Sequence, residues 1–494
     1  MRANLSVIDL GILFLYCCVL IWMGLYYRRK CSTAEQFMVA GRSIPAWAAG
    51  LAVMSAYTSS ISYIATPGKA YDTNWHPIIF SLCILPVAWL VCKYAVPYYR
   101  KTNLISVYSF LEERLGPWGR VYAALSFLLY MVGRVAVILY LVGLLMSTFV
   151  PWNICIVILV IGGVTIIYTL LGGMEAVIWT DVMQSAIMIV GILICAVGLS
   201  VEVLSGPNYL INSAFDAHKF SLGTLNLSLS SRTIWVMIIY GLTENLRNLL
   251  ADQNYVQKYS TVPTERGAKK SIWIAMLIYI PLTAIFLYIG TALFAFYSPA
   301  GHKLGEGVTK GDEVFPYFIA TQLPAGLKGL IIAAIIAAAM STVDSALNCS
   351  ATVSLLDFYK RYINSKITDR ACVSFLRLAT LFWGLIGTGF ALLMIRAKSA
   401  LDVWWQISGI FGGGILGLFI LSLLRVRLHI WQGLVSIGVS IAVISWGTFA
   451  RNLPDSWQWA QCNLDGIIVG AAGTATLMLA ACLFGLINWR RDLH

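Results

Sequence analysis

The chemistry in this chain is carried by oxygen atoms. In residues 337–345 (Ala-Ala-Ala-Met-Ser-Thr-Val-Asp-Ser), Ser341 and Thr342 follow Ala338 by three and four positions. At helical spacing both hydroxyls sit beside the Ala338 carbonyl, and Ser345 lies one turn further along the same face. A carbonyl plus two hydroxyls is half of a shell for a hard cation. The other half is available in residues 50–71. There an apolar segment carries the hydroxyl run Ser55, Tyr57, Thr58, Ser59, Ser60 and Ser62, closed by Pro67 and Gly68. A helix unwound at that run would release carbonyls around Ser55 and Thr58 to a cation, and hydroxyls to a polar solute. Small residues also suit a tight helix–helix contact, so the residues themselves leave both readings open.

Charges inside apolar segments are costly and usually functional. Arg134 lies in Gly133-Arg-Val-Ala-Val-Ile-Leu-Tyr140, about 22 Å along a helix from either end of its segment, too far to snorkel. It requires a counter-charge, either a protein carboxylate or a substrate anion. Asp181 opens another segment and is either a helix cap or an oxygen ligand for a cation. Glu244 and Arg247, beside Asn245 and upstream of Asp252, are spaced to pair with each other. No HExxH, phosphate-binding loop or Ser/His/acid set is present, and none of the five histidines is deep in an apolar segment. The chain does not read as an enzyme, and nothing in it calls for a cofactor.

These residues need helices to position them. Of 494 residues, 59% are hydrophobic and 11% charged, and the mean hydropathy is +0.79. An ordinary soluble domain carries about 25% charged residues, so this is an all-α polytopic membrane protein in a lipid bilayer. Thirteen spans are predicted near 8–27, 46–65, 76–98, 118–149, 153–172, 177–204, 232–252, 270–298, 327–352, 371–395, 401–424, 428–449 and 464–488. The first lacks a basic n-region and a cleavage site, and is kept as a helix rather than a signal peptide. Basic clusters follow alternate spans: Arg28, Arg29 and Lys30; Arg100, Lys101, Arg114 and Arg120; Lys258, Arg266, Lys269 and Lys270; Lys360, Arg361, Lys366 and Arg370; Arg425 and Arg427; Arg490 and Arg491. That pattern puts the N-terminus outside and the C-terminus in the cytoplasm, at the cell membrane. It also accounts for the net charge of +12 without nucleic acid. Residues 105–116 read as an interfacial helix, and 205–231 and 299–326 as outer loops with short helical pieces. The eleven cysteines show no metal-ligand spacing.

Several of these stretches together resemble the sodium:solute symporters, which have the LeuT-type inverted-repeat bundle with broken helices. The match runs over Phe37-Met-Val-Ala-Gly-Arg-Ser43, Thr66-Pro-Gly-Lys-Ala-Tyr71, residues 168–181, Val256-Gln-Lys-Tyr259 and residues 337–345. Within the family, Gly133–Tyr140 and Pro45-Ala-Trp-Ala-Ala-Gly50 are most similar to bacterial sodium/sialic acid symporters. The resemblance implies a single transporter domain over 1–494, working as a monomer. Its first helix (8–27) would be accessory, its core about 46–424, and its last two helices (428–488) peripheral. It implies sodium-coupled import of an organic anion, a sialic acid or related carboxylated sugar. The alternatives are another solute, such as a neutral sugar or small carboxylate, or a sensor or channel on the same bundle; no signalling domain follows His494.

By the same resemblance, a main sodium site uses carbonyls of Ser55, Thr58 and Ala338 with hydroxyls of Ser341 and Thr342. A second uses Asp181, Ser341, Ser345 and position 344, where this chain has Asp344 in place of a hydroxyl residue. Two sites imply more than one sodium per substrate. The substrate would lie against Tyr57, Ser59, Ser62, Ser81, Asn245 and Arg134, the last taking a carboxylate. Tyr57, Pro77 and Ser81 depart from the family pattern, so the wall away from Arg134 is remodelled.

Overall fold

The computed structural model describes residues 5–149, 152–205, 209–297, 303–305, 308–396, 400–424, 426, 428–450 and 455–491. Among the described residues the chain is helical, with no strand. Helix α1 (Val7–Arg28) starts at a reciprocal capping box between Ser6 and Asp9. The hydroxyl run breaks the next span in two. Helix α2 (Ala46–Tyr57) stops at Thr58 (φ −104°, ψ 91°) and Ser59 (φ −95°, ψ 173°), and α3 (Ser60–Asp72) then resumes. Pro67 and Gly68 do not close the stretch as expected but lie inside α3. Neighbouring helices can accommodate a proline within a bundle.

After these come α4 (Ile78–Lys101), the short α5 (Ser109–Leu115) and α6 (Pro117–Phe149). Helix α7 (Ile154–Ser205) covers two predicted spans. They join without a loop at Gly173, whose φ of 58° favours a residue without Cβ. Helix α8 (Ile234–Leu246) runs into a π turn at Arg247–Ala251. Asp252 then caps α9 (Gln253–Tyr259) through its bond from the Asn254 amide. The remaining elements are α10 (Glu265–Phe296), α11 (Gly311–Gln322), α12 (Leu327–Val353), α13 (Asp369–Leu393), α14 (Ala400–Leu423), α15 (Ile430–Phe449) and α16 (Val469–Arg491).

Nine helices among the described residues are long and apolar enough to cross a membrane, or ten if the bent pair Ala34–Arg42 and Ala46–Tyr57 counts as one. Two predicted spans are continuous through the kink in α7, one is cut at Thr58, and the span near 232–252 gives Ile234–Leu246 before the π turn; of α14 the described side chains are those from Phe411 on.

Helix α12 is the centre of the bundle. Of its apolar stretch 94% is buried, against 22% for α1 and 33% for each of α15 and α16. It packs on α6, α7 and α1. Helix α3 is drawn tightly onto α10, where a Cβ on Gly290 would strike the Pro67 carbonyl. Arg425 and Arg427 lie outside the described residues, as do the side chains of Arg490 and Arg491.

Candidate functional site

The break at Thr58–Ser59 opens onto a cavity of about 260 Å³. Arg134, from the middle of α6, lines it with Tyr57, Ser59 and Ser62. Its Nη2 donates to the Ala56 carbonyl at 3.1 Å, and the Tyr255 hydroxyl donates to the same oxygen at 3.1 Å. Arg134 is 8% exposed and makes no ion pair among the described residues. The nearby carboxylates are taken by Arg247, which holds Glu244 at 2.5 Å and Asp252 at 3.2 Å. The expected Glu244–Arg247 pairing is present and extends to Asp252, Tyr130 (3.1 Å) and Asn248 (3.0 Å). A buried guanidinium without a carboxylate, facing a cavity, is the arrangement that receives an anion.

Aromatic side chains (Phe80, Tyr130, Tyr240, Tyr255 and Tyr279 with Tyr57) share the wall with the polar Thr243, Glu244, Arg247, Asn248 and Thr474. Two residues expected at the substrate lie outside it. Ser81 donates to Thr283 Oγ1 at 3.0 Å, between α4 and α10. Asn245 donates to the carbonyls of Phe80 (2.9 Å) and Gly241 (2.7 Å), tying α8 to α4. Both are buried polar groups whose donors serve helix packing.

On α12 the hydroxyls of Ser341 and Thr342 each lie 3.1 Å from the Ala338 carbonyl, as the three- and four-residue spacing requires. All three residues are fully buried, as are Ser55 and Thr58 at the helix break. The Thr58 amide bonds back to the carbonyls of Met54 and Ser55, each at 3.1 Å, while those of Ala56 and Tyr57 accept side-chain donors, Arg134 and Tyr255 at Ala56 and Ser62 at Tyr57. These five residues carry buried neutral oxygens of the kind a hard cation takes. Among the described residues no group of three or more His, Cys, Asp and Glu could hold a metal ion.

The second predicted cation site is built differently. Asp181 is fully buried, and Lys258 Nζ stands 2.9 Å from its Oδ2. Lys258 also donates to the Ala52 carbonyl of α2 at 3.0 Å. Lys258 therefore does not belong with the cytoplasmic loop charges, because it is 0% exposed on α9. The ammonium stands on the Oδ2 side of Asp181, while Oδ1 is buried without a hydrogen-bond partner among the described residues. Asp344 faces hydroxyls, with Tyr168 donating to Oδ2 at 2.6 Å, Ser345 lying 3.1 Å from Oδ1 and Thr180 3.5 Å from Oδ2. Ser345 Oγ also lies 2.8 Å from the Ser341 carbonyl. Lys258, Tyr168 and Tyr255 were thus missed as site residues. The available signal was Lys258 itself, a lone cation in the otherwise uncharged run Gln253–Tyr259.

At the end of the bundle carrying the basic clusters, charges bind the helices together. Arg120 of α6 meets Glu112 at 2.6 Å and the fully buried Asp357 at 2.7 Å, and Arg361 meets Glu112 at 2.5 Å. Although partial burial alone would raise the Glu112 pKa, hydrogen bonds from the two arginines hold it below the ordinary value.

The comparisons with known proteins agree with this geometry. A solved structure of a Na+-coupled sialic acid symporter, substrate-bound and outward-open, superposes with a TM-score of 0.89 at 29% identity, covering 98% of each chain. The sodium/sialic acid symporter NanT of Aliivibrio fischeri is 31% identical, over 93% of this chain and 91% of its own. The SiaT symporter of Proteus mirabilis is 31% identical over 96% and 95%. A family profile matches residues 37–433, which include the helix break, Arg134, the Asp181–Lys258 pair and the α12 hydroxyls, and the chain therefore belongs to the sodium:solute symporter family.

Proposed function

We propose that the chain is a sodium-coupled symporter that imports an organic anion, a sialic acid or related carboxylated sugar, by alternating access. The observation that carries this reading is Arg134: a buried guanidinium beside the helix break, facing the cavity and in no ion pair among the described residues, while Glu244 in the same wall is held by Arg247. Sodium binds at Ser55, Thr58, Ala338, Ser341 and Thr342, and the anion at Arg134 with Tyr57, Ser59 and Ser62. The two symporters at 31% identity support the substrate class, since their names specify sialic acid. The thirteen-span count, the outside N-terminus, the cytoplasmic C-terminus, the accessory first helix and the monomeric unit are part of the same proposal. So is an outward-facing state, supported by a cavity that reaches Gly466 and Ile467 at the start of α16 while Arg120, Glu112 and Asp357 tie the opposite end.

The six aromatic residues among the lining, with the Ser81 hydroxyl and the Asn245 amide nitrogen engaged in helix contacts, favour as a second reading a smaller carboxylate on the same machinery. Thermal denaturation of the purified protein, with sodium and a panel of carboxylates and sugars, tests both readings. A ligand that binds only the folded state raises the transition by mass action. A sodium-dependent rise with sialic acids supports the first reading, and a rise restricted to smaller acids supports the second. No sodium-dependent response to any carboxylate overturns both.

A further inference from the structure

The cavity wall holds two arginines, and they are used differently. Arg134 is in no ion pair among the described residues, whereas Arg247 spends its guanidinium on the protein. Its Nε and Nη2 donate to the Glu244 carboxylate at 3.0 and 2.5 Å, and its Nη1 to Asp252 at 3.2 Å. Nη2 also meets Tyr130 and Asn248. Arg247 therefore orients its neighbours and has little left for an anion.

That orientation leaves two groups turned toward the cavity. A guanidinium only donates, so the Asn248 side-chain oxygen must face it, at 3.0 Å, and the amide nitrogen points elsewhere. The nitrogen donates to nothing among the described residues. The Tyr57 hydroxyl lies beside this amide without forming a hydrogen bond to it. Asn248 is 5% exposed and Tyr57 7%, and both line the cavity. Glu244 lines it too, with its side chain 25% exposed. Side-on pairing with Arg247 takes one acceptor position on each carboxylate oxygen, about half of what the group offers. No other side chain donates to Glu244 among the described residues.

One wall thus presents a carboxylate with room to accept and an amide free to donate. An acid with an apolar body would strip solvent from both and give nothing back, which costs affinity. A hydroxyl or a secondary amide both donates and accepts, and pairs with each.

We infer that Glu244 and Asn248 form a second polar subsite, which selects carboxylates that also carry hydroxyl or amide groups. The inference rests on the carboxylate reading of Arg134 and names the other end of the same substrate.

The test is isothermal titration of the purified full-length chain in saturating sodium with two acids. One is N-acetylneuraminic acid. The other is tetrahydropyran-2-carboxylic acid, which keeps a ring and a carboxylate and lacks the hydroxyl and amide groups. Wild type should bind the first at least about tenfold more tightly. Glu244→Gln keeps the shape and removes the charge, so it should weaken the first acid about 10- to 100-fold and hold the second within about threefold. Asn248→Ala should narrow the ratio in the same direction. If Glu244→Gln does not fold, Glu244→Asp, which keeps the charge beside Arg247 and draws the oxygens back from the cavity, is read by the same ratio. A wild type that binds the two acids equally, or prefers the bare ring, would overturn the inference while leaving the carboxylate role of Arg134 intact. So would a ratio that neither the Glu244 substitution nor Asn248→Ala narrows, because the preference would then arise elsewhere. No binding of either acid to wild type would instead overturn the anion reading itself.

Discussion

Arg134→Lys keeps the charge and changes the shape of the donor. In the wild type one guanidinium nitrogen is already engaged with Ala56, and the remaining donors are available to a carboxylate in the cavity. Two parallel bonds to a carboxylate are possible for arginine but not for the compact ammonium of lysine. A hydrogen bond to a charged group contributes about 1.5–3 kcal/mol, so losing one should weaken the transported acid about 10- to 150-fold. The companion perturbation is made on the ligand. Replacing the acid by its neutral amide leaves Arg134 buried and unpaired, a cost of about 3–5 kcal/mol, or roughly 150- to 5,000-fold. Isothermal titration in saturating sodium measures both effects, and a sodium titration without the acid is the control. The sodium affinity of Arg134→Lys should stay within about threefold of wild type, because the carbonyls assigned to sodium are those of Ser55 and Thr58, not Ala56. Equal affinities of wild type for acid and amide would refute the carboxylate role. So would a variant in which sodium binding falls as far as acid binding, since that is what a structural arginine would do.

Thr342→Ala should weaken sodium roughly five- to tenfold with an unchanged thermal midpoint, because one buried hydroxyl ligand is lost from an intact helix; unaltered sodium dependence of reconstituted uptake would count against the site. Arg120→Ala strands the fully buried Asp357 and should destabilise by about 3–5 kcal/mol, whereas Glu112→Gln, at a partly exposed site, should cost under about 1 kcal/mol; denaturation of the two variants compares them directly. His76, in the turn before α4, is held neutral with a pKa lowered from 6.5 to about 4 by burial and by the positive charges of Arg232 and Lys69. The unfolded chain therefore takes up this proton first, so the contribution is full above about pH 6.5 and is lost as pH falls toward 4, by up to about 3 kcal/mol. Thermal midpoints of His76→Gln should show a shallower decline over that window, and an identical decline would remove His76 as its cause.

Residues that act through chain spacing were legible in the sequence. Ser341 and Thr342 had to meet the Ala338 carbonyl because i+3 and i+4 share a helix face, and they do. The break at Thr58–Ser59 was legible for a related reason: a hydroxyl run inside an apolar segment can satisfy an unwound backbone. What depends on packing between distant segments was not legible. Lys258 followed an apolar span and preceded three more basic residues, so local context placed it in a loop. Only the meeting of α9 with α7 reveals Asp181, 77 positions earlier in the sequence, as its partner. The packing roles of Ser81 and Asn245 were equally hidden: their donors go to Thr283, Phe80 and Gly241, while Asn245 Oδ1 is buried without a partner. The two crossings predicted at 153–172 and 177–204 meet at Gly173, where a φ of 58° turns the chain with no loop between them.

The Lys258–Asp181 pair also sets which helices can part company. Lys258 of α9 bridges the Asp181 carboxylate of α7 and the Ala52 carbonyl of α2, and neither charge reaches solvent. Drawing α9 away from α7 would strand both charges in the interior, at a cost of about 3–5 kcal/mol. Any rearrangement of the bundle is therefore cheapest when these segments travel together and the sliding takes place elsewhere.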